Sequence, residues 1–277
     1  MQEIPHIIHY CWFGKNPLPE DAKKCIRSWK MFCPDYEIRE WNESNYKVQD
    51  KCQYVQQAYK AGKWAFVSDY ARFDIISQYG GIYLDTDVEL IASIDDIVSK
   101  GAFLGCEWAD VLERRVQVNT GIGFGLPPEH WLCKMILKQY EKDCFIFPSG
   151  RYNPNNVVER ISRILLEKGF SGKNKLEMAD DLSIYPTEYF CPLNYFSGEL
   201  KKTENTRSIH HYTATWRTKY EKASTLILAK MVKCFGYKIG SRLGKVLTLP
   251  VWAAGKVSEK GFVGFLRYCK RRLSGMQ

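Results

Sequence analysis

The chain has 277 residues, 45% of them hydrophobic and 14% aromatic, enough to bury a substantial core and too apolar for global disorder. Its net charge of +9 is unevenly placed: residues 222–277 hold twelve basic side chains against one acidic, Glu259, and the rest of the chain stands at −2. That split does not give the basic body a nucleic-acid binder needs, whereas an anionic surface is a fitting partner for the tail. Ten scattered cysteines without a C-x-x-C pair read as reduced thiols of a cytosolic protein. The start, MQEIPHIIHYCW, has neither a basic n-region nor a long apolar h-region, and no window reaches 18 uninterrupted apolar residues.

In chain order, residues 4–12 (IPHIIHYCW) predict a first strand that runs into Phe13-Gly14 and a Pro-containing loop. A helix suits 21–32, an alternating strand 36–41, and a second helix 49–61. Residues 64–79 predict a helix with apolar residues nearly all round, stopped by Gly80-Gly81, and Ile82-Tyr83-Leu84 then reads as a buried strand. Asp95-Asp96 predict the start of a short helix, 103–106 a strand, and 120–125 a glycine-rich one. Helices over 129–141 and 157–168 and short strands at 183–186 and 208–212 complete the body. Strands alternating with helices give an α/β fold.

The helix before Gly80-Gly81 is expected to be buried, yet it carries Asp69 and Arg72, three residues apart on one face. Unpaired charge is costly to bury, so the two must pair with each other, with a ligand, or both. The strand that follows ends in Asp85-Thr86-Asp87, whose two carboxylates face the same side of an extended chain. They fall at the carboxyl end of an inner strand, where open α/β sheets bind ligands. Two carboxylates without nearby Cys or His suit Mg²⁺ or Mn²⁺. A divalent ion on a diphosphate stabilises the departing phosphate in a group transfer.

Four segments in order, IPHIIHYCWFG (4–14), SDYAR (68–72), YGGIYLDTD (79–87) and HHYTATW (210–216), resemble glycosyltransferase family 32. That family includes bacterial capsular polysaccharide transferases and fungal-type mannosyltransferases, and its site layout is similar to that of the large clostridial toxin glucosyltransferases. The resemblance implies a GT-A fold, a nucleotide-sugar donor such as a UDP- or GDP-sugar, a divalent metal and retention of anomeric configuration. Trp12 would stack on the base. Asp69 and Arg72 would hold the donor sugar, with Arg72 also near the diphosphate. Asp87 would bind the metal directly, and Asp85 would touch the ribose or sugar and the metal's waters. His211 stands where the toxin-like enzymes place a metal-ligating acid, and Trp216 would cover the diphosphate. Asn119, with Thr120 and Gly121, would touch the sugar or acceptor. Trp12 also reads as a packing residue, His211 as an ordinary satisfied histidine, and 119–121 as a simple turn.

The GT-A catalytic domain is expected over 1–220 and a basic amphipathic tail over 221–277. The tail predicts a helix over 224–235, an apolar stretch at 246–254 interrupted by Pro250, and aromatic residues among cations at its end. Together these point to an interfacial membrane anchor. The expectation is thus a cytoplasmic enzyme, peripheral on the inner face of the membrane, that extends a surface polysaccharide or a lipid-linked saccharide. One alternative is a metal-dependent nucleotidyl or phosphoryl transferase, although no G-x-x-x-x-G-K-S/T loop is present. The other is a non-enzymatic basic nucleic-acid binder.

Overall fold

The computed structural model describes residues 3–110, 113–196, 198–213 and 219–273. The first of two compact units covers most of the first 213 residues. It contains strands β1 (Ile7–Cys11), β2 (Glu37–Trp41), β3 (Gly81–Tyr83), β4 (Val88–Leu90), β5 (Phe103–Trp108), β6 (Val116–Val118), β7 (Phe124–Leu126), β8 (Glu177–Ala179), β9 (Leu182–Tyr185) and β10 (Ser208–His210). Its helices are α1 (Glu20–Phe32), α2 (Gln53–Lys60), α3 (Trp64–Tyr79), α4 (Asp95–Val98), α5 (Trp131–Glu141), α6 (Val157–Glu167) and α7 (Thr187–Phe190).

The main sheet runs β2-β1-β3-β7-β5-β9-β8, with β6 paired to β5. Strands β2, β1 and β3 are parallel, β7 is antiparallel to both neighbours, and β9 is again parallel to β5. Alternation along β1 sends Ile8 and Tyr10 to one face and Cys11 to the other. Ile8 and Tyr10 share a core with Trp29 of α1, Ile97 of α4 and Phe190 of α7. Cys11, Tyr83 and Phe124 share the opposite core with residues of α2, α3, α5 and α6. The sheet is thus covered on both faces, which explains why its central strands are apolar throughout.

Helix α3 is buried along its middle, from Val67 to Ile76, because phenylalanine, valine, tyrosine and isoleucine surround its axis there, and only its last turn, at Gln78 and Tyr79, is exposed. It ends at Gly80 (φ 62°) and Gly81 (φ 99°). A Cβ on Gly81 would stand 2.7 Å from the Ile7 carbonyl oxygen and 3.0 Å from His9 Nε2. His9 is fully buried between two partners: Trp41 Nε1–H donates to its Nδ1 at 3.0 Å, so the proton sits on Nε2, 2.9 Å from the Gly80 carbonyl. Burial pushes its pKa down to about 4, and the ring is neutral. This neutral histidine ties β1, β2 and the end of α3 together directly beneath the turn that launches β3.

A separate antiparallel pair, β4 with β10, is fastened to α1. Trp29 Nε1 donates to the Val88 carbonyl at 2.7 Å, and Ser28 Oγ accepts from the Leu90 amide at 2.9 Å. The strand expected at 4–12 is shorter, because Ile7 is the first residue to pair with β2. The helix expected at 49–61 divides into a short 3₁₀ turn at Val48–Asp50 and α2. The glycine-rich strand starts at Phe124, since Gly123 has φ 142°. β6 and β8 are three-residue strands too short to leave a periodic signal.

The second unit comprises the described parts of Asp110–Leu112, Tyr195–Gly198 and Ala214–Gln277. Its helix α8 (Lys219–Leu273) is broken by Gly236 (φ 69°, ψ 170°) and Gly261 (φ 68°, ψ 165°). The first two arms, 219–235 and 237–260, form an antiparallel hairpin. A Cβ on Gly240 would run into the Met231–Val232 backbone, one on Gly244 would meet Leu228 Cα at 3.1 Å, and one on Gly255 would meet Tyr220 Cβ at 3.0 Å. Pro250 lies within the second arm instead of ending it. No helix among the described residues is long and apolar enough to cross a membrane.

Candidate active site

The carboxyl ends of β1, β2 and β3 lie at one edge of the sheet because the three strands are parallel. Trp12 follows β1 there, its amide bonded to the Trp41 carbonyl at 2.8 Å and its indole N–H to the Asn16 carbonyl at 2.6 Å. Asp85 follows β3 at the same edge, and α3 lies beneath with Asp69 and Arg72.

Arg72 is 3% exposed and saturated with partners. Its Nη2 lies 3.0 Å from Asp69 Oδ1 and 3.2 Å from Asp85 Oδ1, its Nε donates to the Ser68 carbonyl, and its Nη1 lies 3.4 Å from Thr120 Oγ1. The guanidinium also stands over the Tyr83 ring at 4.7 Å. Burial opposes its charge, but Asp85, Tyr83 and Asp69 outweigh that and raise its pKa. Burial likewise pushes Asp69 up to about 6, with Arg72 pulling it back only in part. The three side chains therefore form one buried charged cluster, open to the edge through Asp85, whose side chain is 32% exposed.

Asp85 is also held from the far side. Its amide donates to the Gly121 carbonyl at 2.8 Å, and a Cβ on Gly121 would collide with its Oδ2. Among the described residues Oδ2 takes no hydrogen bond. Asn119 shapes this turn: its Oδ1 accepts from the Gly121 amide at 2.8 Å and its Nδ2 donates to Glu107 Oε2 at 2.8 Å. Glu107 is buried and accepts further from Gln117 and from the Tyr212 hydroxyl.

Asp87 has different neighbours. Its Oδ1 lies 3.3 Å from His210 Nε2, and its Oδ2 accepts from the Thr213 amide at 2.9 Å and hydroxyl at 3.1 Å. Burial would raise its pKa, but the His210 charge and these hydrogen bonds win and bring it down to about 2. Burial opposes protonation of His210, and Asp87 overcomes that to raise its pKa well above the usual value. The site thus holds an imidazolium–carboxylate pair. His211 points elsewhere: its Nε2 pairs with Glu89 Oε2 at 2.8 Å, both side chains about 40% exposed. Trp216 lies outside the described residues.

The donor set suits a hard divalent cation. Asp87 is held ionised, Asp85 keeps an oxygen that takes no hydrogen bond from the described residues, and the backbone beside that oxygen is cleared by a glycine. Among the described residues Glu107, Cys191 and His210 also converge, their ligand atoms within 4.8 Å of one another. Glu107 there is engaged by three donors, and the Cys191 sulfur lies 3.0 Å from the Tyr212 hydroxyl. Sequence reading gave no role to Thr213 or Glu89. The one available signal was the alternation Asp85, Asp87, Glu89 along an extended segment.

Residues 19–104 match the family described as glycosyltransferase sugar-binding region containing DXD motif. An uncharacterized glycosyltransferase of Acanthamoeba polyphaga mimivirus is 24% identical over 71% of this chain and 76% of its own length. Inositol phosphoceramide mannosyltransferase 1 of Schizosaccharomyces pombe is 27% identical over 38% of this chain, and the match spans 34% of that protein. Among solved structures, the PaToxG glycosyltransferase superposes with a TM-score of 0.44 at 17% identity, covering 60% of this chain and 70% of its own. The Asp85–Asp87 segment lies inside the matched region, and the chain is a glycosyltransferase carrying the DXD-containing sugar-binding region.

Proposed function

We propose that the enzyme moves a sugar, with retention of anomeric configuration, from a UDP- or GDP-sugar to a surface polysaccharide or lipid-linked saccharide. On this reading it works in the cytoplasm, peripheral on the inner face of the membrane. The observation that carries the reading is the buried Asp69–Arg72–Asp85 cluster at the carboxyl edge of β1 and β3. Folding alone does not call for a charged cluster here, since apolar residues in all three places would fill the space at least as well. A sugar ring rich in hydroxyls offers donors to the carboxylates, and a diphosphate offers acceptors to the guanidinium.

Asp85 and Asp87 would hold Mn²⁺ or Mg²⁺, which when bound neutralises charge on the departing nucleoside diphosphate. His210 keeps Asp87 ionised and fixed, and Thr213 fixes its second oxygen. His211 would join the cation only by leaving Glu89, an exposed pair that costs little to part. Trp12 at the same edge would receive the base, and Trp216 would close over the diphosphate. Asn119 serves the donor by shaping the 119–121 turn under Asp85. A lipid-borne acceptor is supported by the S. pombe relative, which is named for mannosyl transfer to inositol phosphoceramide.

A thermal-shift screen of nucleotide sugars with Mn²⁺ or Mg²⁺ tests the reading. The true donor raises Tm only with the cation, by mass action on the folded state. Release of a nucleoside diphosphate on turnover supports glycosyl transfer. Release of a sugar 1-phosphate would establish nucleotidyl transfer on the same aspartates instead, and release of a nucleoside monophosphate would establish sugar-phosphate transfer.

A further inference from the structure

The second arm of α8, residues 237–260, has three distinct faces. One is spent inside the hairpin: Gly240, Gly244 and Gly255, at helical spacing, bring its backbone against Val232, Leu228 and Tyr220 of the first arm. A second face is apolar and open. Ile239, Leu243 and Val246 recur at steps of four and three and are 58%, 40% and 62% exposed, with Leu247 beside them at 50%. The third face is cationic: Lys238, Arg242 and Lys245 repeat the same steps one position earlier and are all exposed. The open apolar residues are not needed to hold the arms together, because the glycine face does that. An apolar strip bordered by a cationic strip is the surface of a helix lying in a lipid–water boundary.

We infer that this second arm docks on the surface of an anionic lipid bilayer, with Ile239, Leu243 and Val246 entering the acyl boundary and Lys238, Arg242 and Lys245 meeting lipid phosphates. Charge decides the occupant. Residues 222–277 carry a net +11, so a second copy would set two strongly positive tails face to face, whereas an anionic leaflet neutralises both. The hairpin prepays the ordering of the helix, so docking needs no coil-to-helix transition. The inference rests on the transferase reading only for what the membrane carries, and its test does not use turnover.

The test is flotation of the full chain with vesicles of phosphatidylcholine alone or with 30% phosphatidylglycerol, in 0.1 M and 0.5 M salt. The full chain floats with the anionic vesicles at low salt, and high salt weakens binding at least tenfold by screening. Lys238→Gln/Arg242→Gln/Lys245→Gln loses about 100-fold in partitioning, each cation near an anionic surface being worth about fivefold. Ile239→Asp/Val246→Asp no longer floats. All these positions are exposed, so helicity by circular dichroism stays unchanged in both variants, and the donor-induced thermal shift reports separately on the transferase reading. Equal binding to both vesicle types, or no binding to either, overturns the inference. So does a full-length dimer in light scattering that Ile239→Asp/Val246→Asp converts to monomer, which would make this face a self-association surface.

Discussion

Arg72 Nη2 stands 3.2 Å from Asp85 Oδ1, and this contact joins the middle of a buried helix to the turn after β3. The same nitrogen reaches Asp69, so one guanidinium sets the position of two carboxylates 16 residues apart in the chain. A lysine ammonium can satisfy one of them and cannot reproduce the planar fork. Arg72→Lys is expected to lose at least 100-fold in donor affinity while still folding. Arg72→Met leaves the buried carboxylates unpaired and is expected to cost about 3–5 kcal/mol. Calorimetric donor titration and denaturant unfolding check the two outcomes. Near wild-type turnover in Arg72→Lys would reassign the cluster to helix packing.

Asp69 also makes stability depend on pH. Its folded pKa, about 6, lies above the ordinary 3.8, so the folded state binds this proton more tightly than the unfolded chain. Its contribution is fully present below pH 4 and is lost as pH rises through 6. His9 acts in the opposite sense: its folded value of about 4 is below the ordinary 6.5, so stability rises with pH across that interval. The two partly cancel in the wild type. Asp69→Asn removes one of them, and unfolding free energy should then climb more steeply from pH 4.5 to 7.5, by on the order of 2 kcal/mol. Urea unfolding at the two pH values measures this, and an unchanged slope would show that Asp69 titrates normally.

Asp87 does not contribute in that window, because its folded value of about 2 and its ordinary 3.8 both lie below it. Its stabilisation is complete above pH 4 and disappears only as pH falls toward 2. At neutral pH its variant is therefore informative about the cation. Asp87→Asn is expected to keep the fold and lose saturable Mn²⁺ binding, read by electron paramagnetic resonance of the free ion. Transfer activity undiminished by excess chelator would remove the cation from the reaction.

Much of this site was legible because it is local. Asp69, Arg72, Gly80-Gly81, Asp85 and Asp87 fall within 19 consecutive residues, and helix period, glycine stop and strand alternation relate them without tertiary knowledge. His210 was not legible. It reaches Asp87 only through the pairing of β10 with β4, a three-residue ladder formed across about 120 residues. Nothing local distinguishes it from His211, and a one-residue change of register decides which ring faces Asp87. His9 was hidden for a similar reason, since its value as a strut depends on Trp41 from the neighbouring strand. The tail's hairpin was half visible: its charge and apolar content could be counted, but the role of Gly240 and Gly244 appears only when the first arm lies against them.

Gly121 offers a test that does not touch a charged group. Its Cβ position is filled by Asp85 Oδ2, while its φ is not in the left-handed region, so alanine is tolerated by the backbone and rejected by its neighbour. Gly121→Ala should turn the Asp85 carboxylate away from the site and lower donor affinity at least tenfold. The expected stability loss is modest, about 1–2 kcal/mol, because Asp85 is partly exposed and can move. Donor titration alongside thermal unfolding separates the two effects, and unaltered affinity would mean Asp85 does not face the donor.

Glu107 is the buried carboxylate on which the far wall of the site depends. It accepts from Asn119 at 2.8 Å and from Tyr212 at 3.2 Å, and those residues belong to the two segments that flank Asp85 and Asp87. Asn119 controls the Gly121 turn, and Tyr212 lies between His211 and Thr213, beside the donor of Asp87's second oxygen. Glu107→Ala strips the Asn119 amide of its partner in a buried setting and opens a cavity, so a loss of about 2–4 kcal/mol is expected. Tyr212→Phe removes one hydroxyl while Asn119 stays held, and about 1 kcal/mol is expected. The catalytic consequence should follow the same order, with kcat falling more than the apparent donor affinity, since the carboxylates remain but are no longer fixed. Steady-state kinetics on variants shown to be folded by circular dichroism tests this. A Glu107→Ala enzyme with normal kcat and reduced stability would confine Glu107 to the core and leave the positioning of Asp85 and Asp87 to Arg72, His210 and Thr213.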